Sequence, residues 1–499
     1  MNKRVKGLCC TLFLIFLLLH TAFGQTPNWQ HLDLNKDGVF GISTDKAYNE
    51  LLKGKNAVPV VVAVIDAGVD TLHEDLKGVL WVNPKKKKFD NGTYGWSYLG
   101  SARGNVHYDN LELTRQIRLF QQKDTGRLSG NDLLVYHAEK KSFDLKKAEA
   151  ERNLQGYTGF LSVINSIARK IGKDSPSLAD IRAFQPTLPG EVRVRNVLLD
   201  VLGRKDDFAG FRSELEKGIT HFKAQTDYQL NLAYDPRAVV GDDYTDSRER
   251  KYGSPDVMGP DPTHGTHVSG IIAAVRNNHL GMDGVANDVR ILAIRTVPDG
   301  DERDKDVANA IRYAADHGAK VINMSFGKAY SHDKKVVDGA VRYALRKDVV
   351  LVQAAGNSNE DIDSVANYPN RVYLNGKVAG AYIVVGASGM HDDSTLKAPF
   401  SNYGKASVDV FAPGVQIYSC VPGSKYDYFD GMSMGCPVVA GLAALIREYY
   451  PKLSALQVKE IILQSVVVSP YLAPYCKTGG VVNAFKALSL AATYDLSNR

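Results

Sequence analysis

"VPVVVAVID" occupies residues 58–66. Its valines, isoleucine and alanine run without polar alternation until Asp66. A strand with one wet face alternates; an unbroken β-branched run reads as a strand buried on both faces. Similar runs follow: "VRILAIRTV" (289–297), "KVINMSFG" (320–327), "VVLVQAAGN" (349–357) and "YIVVGAS" (382–388). Helical patterns lie between several of them, at 306–318 and 334–348, with Asp306 placed to cap the first and Gly318 to end it. Strand–helix alternation predicts an α/β fold: a parallel sheet with helices on both faces.

From about 105 to 235 the pattern changes. Strand signals almost vanish, while helical periodicity and charge dominate. The expected organisation is a discontinuous domain, 42–103 and 236–492, interrupted by a mainly helical insertion at 104–235 and preceded by a short extension at 25–41. The helical stripes predict a modest core within the insertion.

The first 24 residues read as a secretory signal peptide. Lys3, Arg4 and Lys6 precede the apolar run Leu8–Leu19, and Ala22 and Gly24 suit a cleavage site. That run of about 12 residues is too short to cross a bilayer, which takes about 20. Export to an extracellular or periplasmic space is expected, with no stable membrane span in the mature chain. The formal charge of +6 on 499 residues is small and gives no indication of nucleic acid. Five cysteines become three after cleavage, Cys420, Cys436 and Cys476. An odd number leaves at least one thiol unpaired; one disulfide is allowed, its pairing unassigned.

Three stretches carry candidate chemistry. Asp66 ends a buried strand and precedes Ala67-Gly68. A carboxylate there is costly unless paired, and ligand sites of open α/β sheets lie beyond the carboxyl ends of strands. Taken alone, it is also an ordinary turn aspartate. "PTHGTHVSGIIAAV" (262–275) puts His264 where loop gives way to helix, and His267 three residues on. A metal pair is weakly supported, because no third ligand follows; His267 suits a packed interior position better. "GMSMGCPVVAG" (431–441) places Ser433 at the start of a helix rich in small residues. A serine there is also a good N-cap. Together the three meet a stricter requirement. A serine hydroxyl needs a base to take its proton, histidine titrates in the right range, and a buried carboxylate orients the imidazole. The order Asp66, His264, Ser433 is the chain order found in subtilisin.

On these motifs, with "GVANDVRILAIRTV", "VINMSFG", "VQAAGNSN" and "VDVFAPG", the chain resembles the subtilisin-like serine proteases, peptidase family S8. The resemblance covers about 42–103 and 236–490. It implies the family's three-layer fold around a central, mostly parallel sheet, and an endopeptidase working through Asp66, His264 and Ser433. It puts the oxyanion-binding asparagine at Asn357. It also implies that Ser325, Phe326 and Gly327 form one wall of the primary specificity pocket and Ala354, Ala355 and Gly356 the other. The substrate would be a protein or peptide bound by strand addition.

The chain departs from the family pattern in several places. Ala67 and Met432 replace hydroxyl-bearing residues beside the aspartate and the serine. Cys436 is expected to be a buried, inert thiol. Asp66 and His264 lie 198 positions apart because of the insertion; covering the cleft or assisting folding is its expected role. No cofactor is required for this chemistry and no metal ligand is assigned. "DLNKDG" (33–38) imitates a calcium loop without its closing glutamate, and the loop 275–284, where the family binds calcium, carries Arg276. Structural calcium is allowed. The acids of 299–306 suggest a preference for basic residues upstream of the cleaved bond.

Overall fold

A computed structural model describes residues 27–86, 90–123 and 129–497. The expected signal peptide, with Cys9 and Cys10, falls outside them. The chain forms two compact units, residues 140–230 and a larger unit made of Thr26–Glu139 with Asn231–Arg499.

The larger unit is built on strands β1 (Val60–Asp66), β2 (Gly95–Ser97), β3 (Val289–Arg295), β4 (Val321–Met324), β5 (Val350–Ala354), β6 (Tyr382–Ser388), β7 (Val410–Pro413), β8 (Val467–Val468) and β9 (Gly480–Val481). They form one nine-stranded sheet in the order β8-β9-β7-β6-β5-β4-β1-β3-β2. Only the β8–β9 pair is antiparallel; the other neighbours run parallel. The interior of β1 is almost wholly buried, as its unbroken apolar run demands. The fold is therefore α/β, with a mostly parallel sheet flanked by helices. β1 lies between β3 and β4, so the winding reverses direction there. A crevice opens at such a switch point beyond the carboxyl ends of the strands. Asp66 ends β1 there, opposite Arg295 of β3, and Ser325 follows the end of β4.

The helices that matter most to this crevice are α1 (Glu112–Gln122), α2 (Thr263–Ala273), α3 (Asp304–Asp316), α4 (Lys334–Arg346) and α5 (Met432–Tyr449). Small residues set how closely α5 packs. A Cβ on Gly435 would come 3.1 Å from the Ala412 carbonyl oxygen, and one on Gly441 2.7 Å from Val285 Cβ. Pro437 lies inside α5 as its sixth residue; it has no N–H to give the Ser433 carbonyl, which accepts the Ser325 hydroxyl instead. Leu442, Leu445 and Ile446 of α5 are fully buried, each contributing about 1.5–3 kcal/mol by leaving water.

Three expectations change. Helix α3 starts at Asp304 after Arg303, so Asp306 is not its cap; Asp306 is buried and takes a bidentate pair from Arg237. Gly318 does follow that helix with a left-handed φ of 83°. Residues 104–139 and 231–235, expected in the insertion, belong to the larger unit. Trp29 and Phe40, expected in an extension, are buried in the main core, where the Trp29 indole N–H donates to the Val415 carbonyl at 3.2 Å.

Residues 140–230 are helical and have their own apolar cluster. Ile164, Ile167, Ile181, Leu198, Leu202 and Phe208 are buried in it. Ser177 and Asp180 form a reciprocal capping box at one helix start, Pro189 opens the next helix, and Asp207 caps the third.

Candidate active site

Asp66 reaches the crevice with its carboxylate nearly inaccessible. His264 Nδ1 lies 2.7 Å from Asp66 Oδ1, and the Ala67 N–H donates to the same oxygen at 2.7 Å. The bond assigns the Nδ1 proton to the aspartate side, so Nε2 is the nitrogen available to take a proton. Burial disfavours the imidazolium; the Asp66 charge, its hydrogen bond and the Asp261 charge outweigh that. The His264 pKa is raised above its ordinary 6.5. Gly265 permits this approach, since a Cβ there would sit 2.2 Å from the Gly68 carbonyl oxygen. Three residues on, His267 is buried as expected. Its ring stacks on Phe429 with centroids 4.2 Å apart, and burial pushes its pKa down to about 3.

Ser433 is the second residue of α5. Gly431 holds the cap position with φ 155°, so Ser433 is not an N-cap. Its hydroxyl donates to the Ser325 carbonyl at 3.1 Å, and the Ser325 hydroxyl donates back to the Ser433 carbonyl at 3.1 Å. A Ser433–His264 hydrogen bond is not formed. Asn357 accepts the Met432 N–H on Oδ1 at 2.9 Å, which commits its amide nitrogen to the other side. That nitrogen lies 3.7 Å from the position of a Gly431 Cβ, next to the start of α5. An amide donor and the α5 N-terminus therefore converge on one place.

The residues named as pocket walls behave unequally. Ser325, Phe326, Ala354 and Ala355 are buried; Gly327 is exposed and Gly356 partly so. Asn402, which the sequence did not single out, fixes the second wall. Its amide donates to the Ala355 carbonyl and accepts the N–H groups of Ser358 and Glu360, all at 2.9 Å. Arg295 was also missed. Buried at the end of β3, its Nε donates to the Ala67 carbonyl at 2.8 Å, bracing the turn after Asp66. A cavity of about 230 Å³ lies against His264 and Ser325 and is lined also by His107, Asp261, Val297 and Asp299.

The acidic run 299–306 is not a charged rim. Glu302, Asp304 and Asp306 are buried and turned inward; Lys328 Nζ lies 2.9 Å from Asp304. Only Asp299 is exposed, which removes most of the basis for a basic-residue preference. Met432 is buried, with Sδ 3.7 Å from the Ser401 hydroxyl. Cys436 is buried with its thiol 3.7 Å from the Met324 carbonyl, and burial pushes its pKa up to about 12. Cys420, Cys436 and Cys476 are all free. In the 275–284 loop Arg276 donates to the Gly284 carbonyl at 2.6 Å and pairs with Asp45 at 2.8 Å. Among the described residues no group of three His, Cys, Asp or Glu side chains could hold a metal. Asp33, the first residue of the calcium-like stretch, caps a short helix through the N–H groups of Asn35 and Lys36.

An α/β sheet with an aspartate–histidine pair and a helix-tip serine around one crevice defines a class of hydrolase-like folds. The subtilase family model matches residues 58–485, so this chain belongs to the subtilase family. The chain is 42% identical over 214 residues to a thermophilic serine proteinase of Bacillus sp. strain AK1, covering 42% of this chain and 47% of that protein. It is 42% identical over 184 residues to thermitase of Thermoactinomyces vulgaris, covering 37% and 60%. It thus spans about half to three-fifths of the length of these relatives. Among solved structures, proteases from Pseudoalteromonas arctica align with a TM-score of 0.41 at 28% identity, over 48% of this chain and 78% of theirs.

Proposed function

We propose that the protein is an exported serine endopeptidase acting through an acyl-enzyme. One observation carries this: the 2.7 Å bond from His264 Nδ1 to a buried Asp66 carboxylate, beside a helix-tip serine. The bond selects the tautomer in which Nε2 is a base and stabilises the imidazolium formed during attack. Ser433 gives its proton to His264 and attacks the carbonyl carbon. His264 then protonates the leaving amine, and water repeats the cycle to release the acyl group. The Asn357 amide and the Ser433 N–H hold the oxyanion, a contact stronger in the transition state than in the ground state. Residues 325–327 and 354–356 receive the substrate. The chemistry needs no cofactor.

A binding protein of the same fold without turnover is the competing reading, favoured by the Ser433–Ser325 bond. Fluorophosphonate labelling separates the two. Labelling of the wild type and none of Ser433→Ala supports the peptidase; an unlabelled wild type refutes it. Mass spectrometry of products from an unfolded protein substrate then reports the bonds cleaved. Among the described residues no helix is long and apolar enough to cross a membrane. Export is tested by recovering the protein, cleaved near Gln25, outside the cytoplasm.

A further inference from the structure

Recognition by strand addition needs strand edges with free N–H and C=O groups. Residues 297–302 form one side of the crevice, and the edge that carries the Asp299 and Asp301 N–H groups is already in use. The Asp299 N–H donates to the His107 carbonyl at 2.8 Å, and the Asp109 N–H donates to the Asp299 carbonyl at 3.0 Å. The Asp301 N–H points to the Asn110 carbonyl at 3.3 Å. Tyr108 and Asp299 form a parallel bridge. Gly300 is needed for the close approach: a Cβ there, at φ 144°, would lie 2.2 Å from the Asp109 carbonyl oxygen.

Helix α1 holds this pairing in place. Arg115 donates to the carbonyls of Asn110, Asp301 and Glu302. Lys328, the residue after the expected substrate-pairing strand 325–327, reaches across to the same segment. Its Nζ donates to the Glu302 carbonyl at 2.6 Å and to Glu112 at 3.0 Å, with both side chains 1% exposed. A buried ionic crossbar therefore joins the two sides of the crevice just beyond Gly327. From Ser325 to Lys328 is about 10 Å, at ~3.3 Å per strand residue.

We propose that residues 107–110, backed by α1 and the Glu112–Lys328 crossbar, close the upstream end of the cleft. The enzyme then accepts no more than about three residues before the scissile bond, one per strand step. Its substrates are short peptides and the free N-terminal ends of chains, and its products include fragments of that length. This rests on the peptidase function proposed above and narrows it from internal bonds at large to bonds near an amino terminus.

The test is a series of peptides with one leaving group and one to six residues before the bond. The expected kcat/KM climbs to the third residue, then drops roughly tenfold at the fourth. Acetylating the three-residue peptide is expected to cause a similar drop. A rise or plateau through the sixth residue overturns the proposal. The double variant Glu112→Leu with Lys328→Met replaces the crossbar with apolar groups of similar bulk, and its drop at the fourth residue is expected to shrink. Should that variant not fold, the wild-type series decides alone. An unlabelled wild type in the fluorophosphonate assay refutes the peptidase reading and this inference together. Labelling with a flat length profile refutes this inference only.

Discussion

His264 is the residue on which pH acts most directly. In the proposed mechanism it works as a base only when neutral, and its pKa lies above 6.5 because Asp66 and Asp261 favour the cation over the opposing effect of burial. Activity should therefore rise with pH through a midpoint above 6.5. Asp261→Asn removes one stabilising charge and should shift that midpoint down in a kcat/KM profile. An unmoved midpoint would contradict the assigned coupling. Asn357→Ala should lower kcat by roughly 10²–10³-fold with little change in KM, the range measured on removing such a donor from subtilisin itself. Cys436 should resist alkylation in the native protein and react after denaturation. Rapid native labelling detected by mass spectrometry would show that the thiol is not buried as described.

At the scale of the element, the segment between β3 and α3 is the informative one. Glu302 is buried there with one carboxylate oxygen lacking a hydrogen-bond partner, and burial pushes its pKa up to about 8. The folded state keeps a proton that an unfolded glutamate, with a pKa near 4.5, releases. Stability from this group is present below 4.5 and is lost as pH rises towards 8. Glu302→Gln should therefore raise the melting temperature relative to wild type at pH 8 and have little benefit at pH 4. Equal differences at both values would count against a neutral Glu302. The segment also shows where pattern reading falls short. Its run of acids looks solvated in sequence, because nothing local reveals that Arg115, Arg237 and Lys328 arrive from distant positions to bury them. By contrast, β1 and β3 were legible, since strands buried on both faces must be apolar throughout.

At the scale of the whole molecule, the described residues form two separate apolar cores. A fragment spanning 130–230, which includes the long helix Gly130–Ile171 in full, should fold alone and melt cooperatively by circular dichroism. A gradual, non-cooperative loss of helix would show that the cluster around Ile164 and Leu198 is insufficient. Replacing 140–230 by a short linker tests whether this unit aids folding or governs access: unchanged soluble yield and unchanged kinetics would leave it with neither role.

The sequence by itself determined the α/β architecture, the helical insertion pattern and the triad candidates. Each of these is written in local periodicity or in short stretches whose residue types are few and ordered. Only the tertiary structure decided which partners those residues meet. It turned the Ser433 hydroxyl towards Ser325, placed Arg295 on the Ala67 carbonyl and Asn402 on the Ala355 carbonyl, and set the unit boundary at Lys140 rather than 104. It also laid residues 107–110 along the strand edge at 299–301. The physical reason is the same in every case. Burial, charge pairing and edge occupancy depend on residues far apart in the chain, and no window of sequence contains both partners.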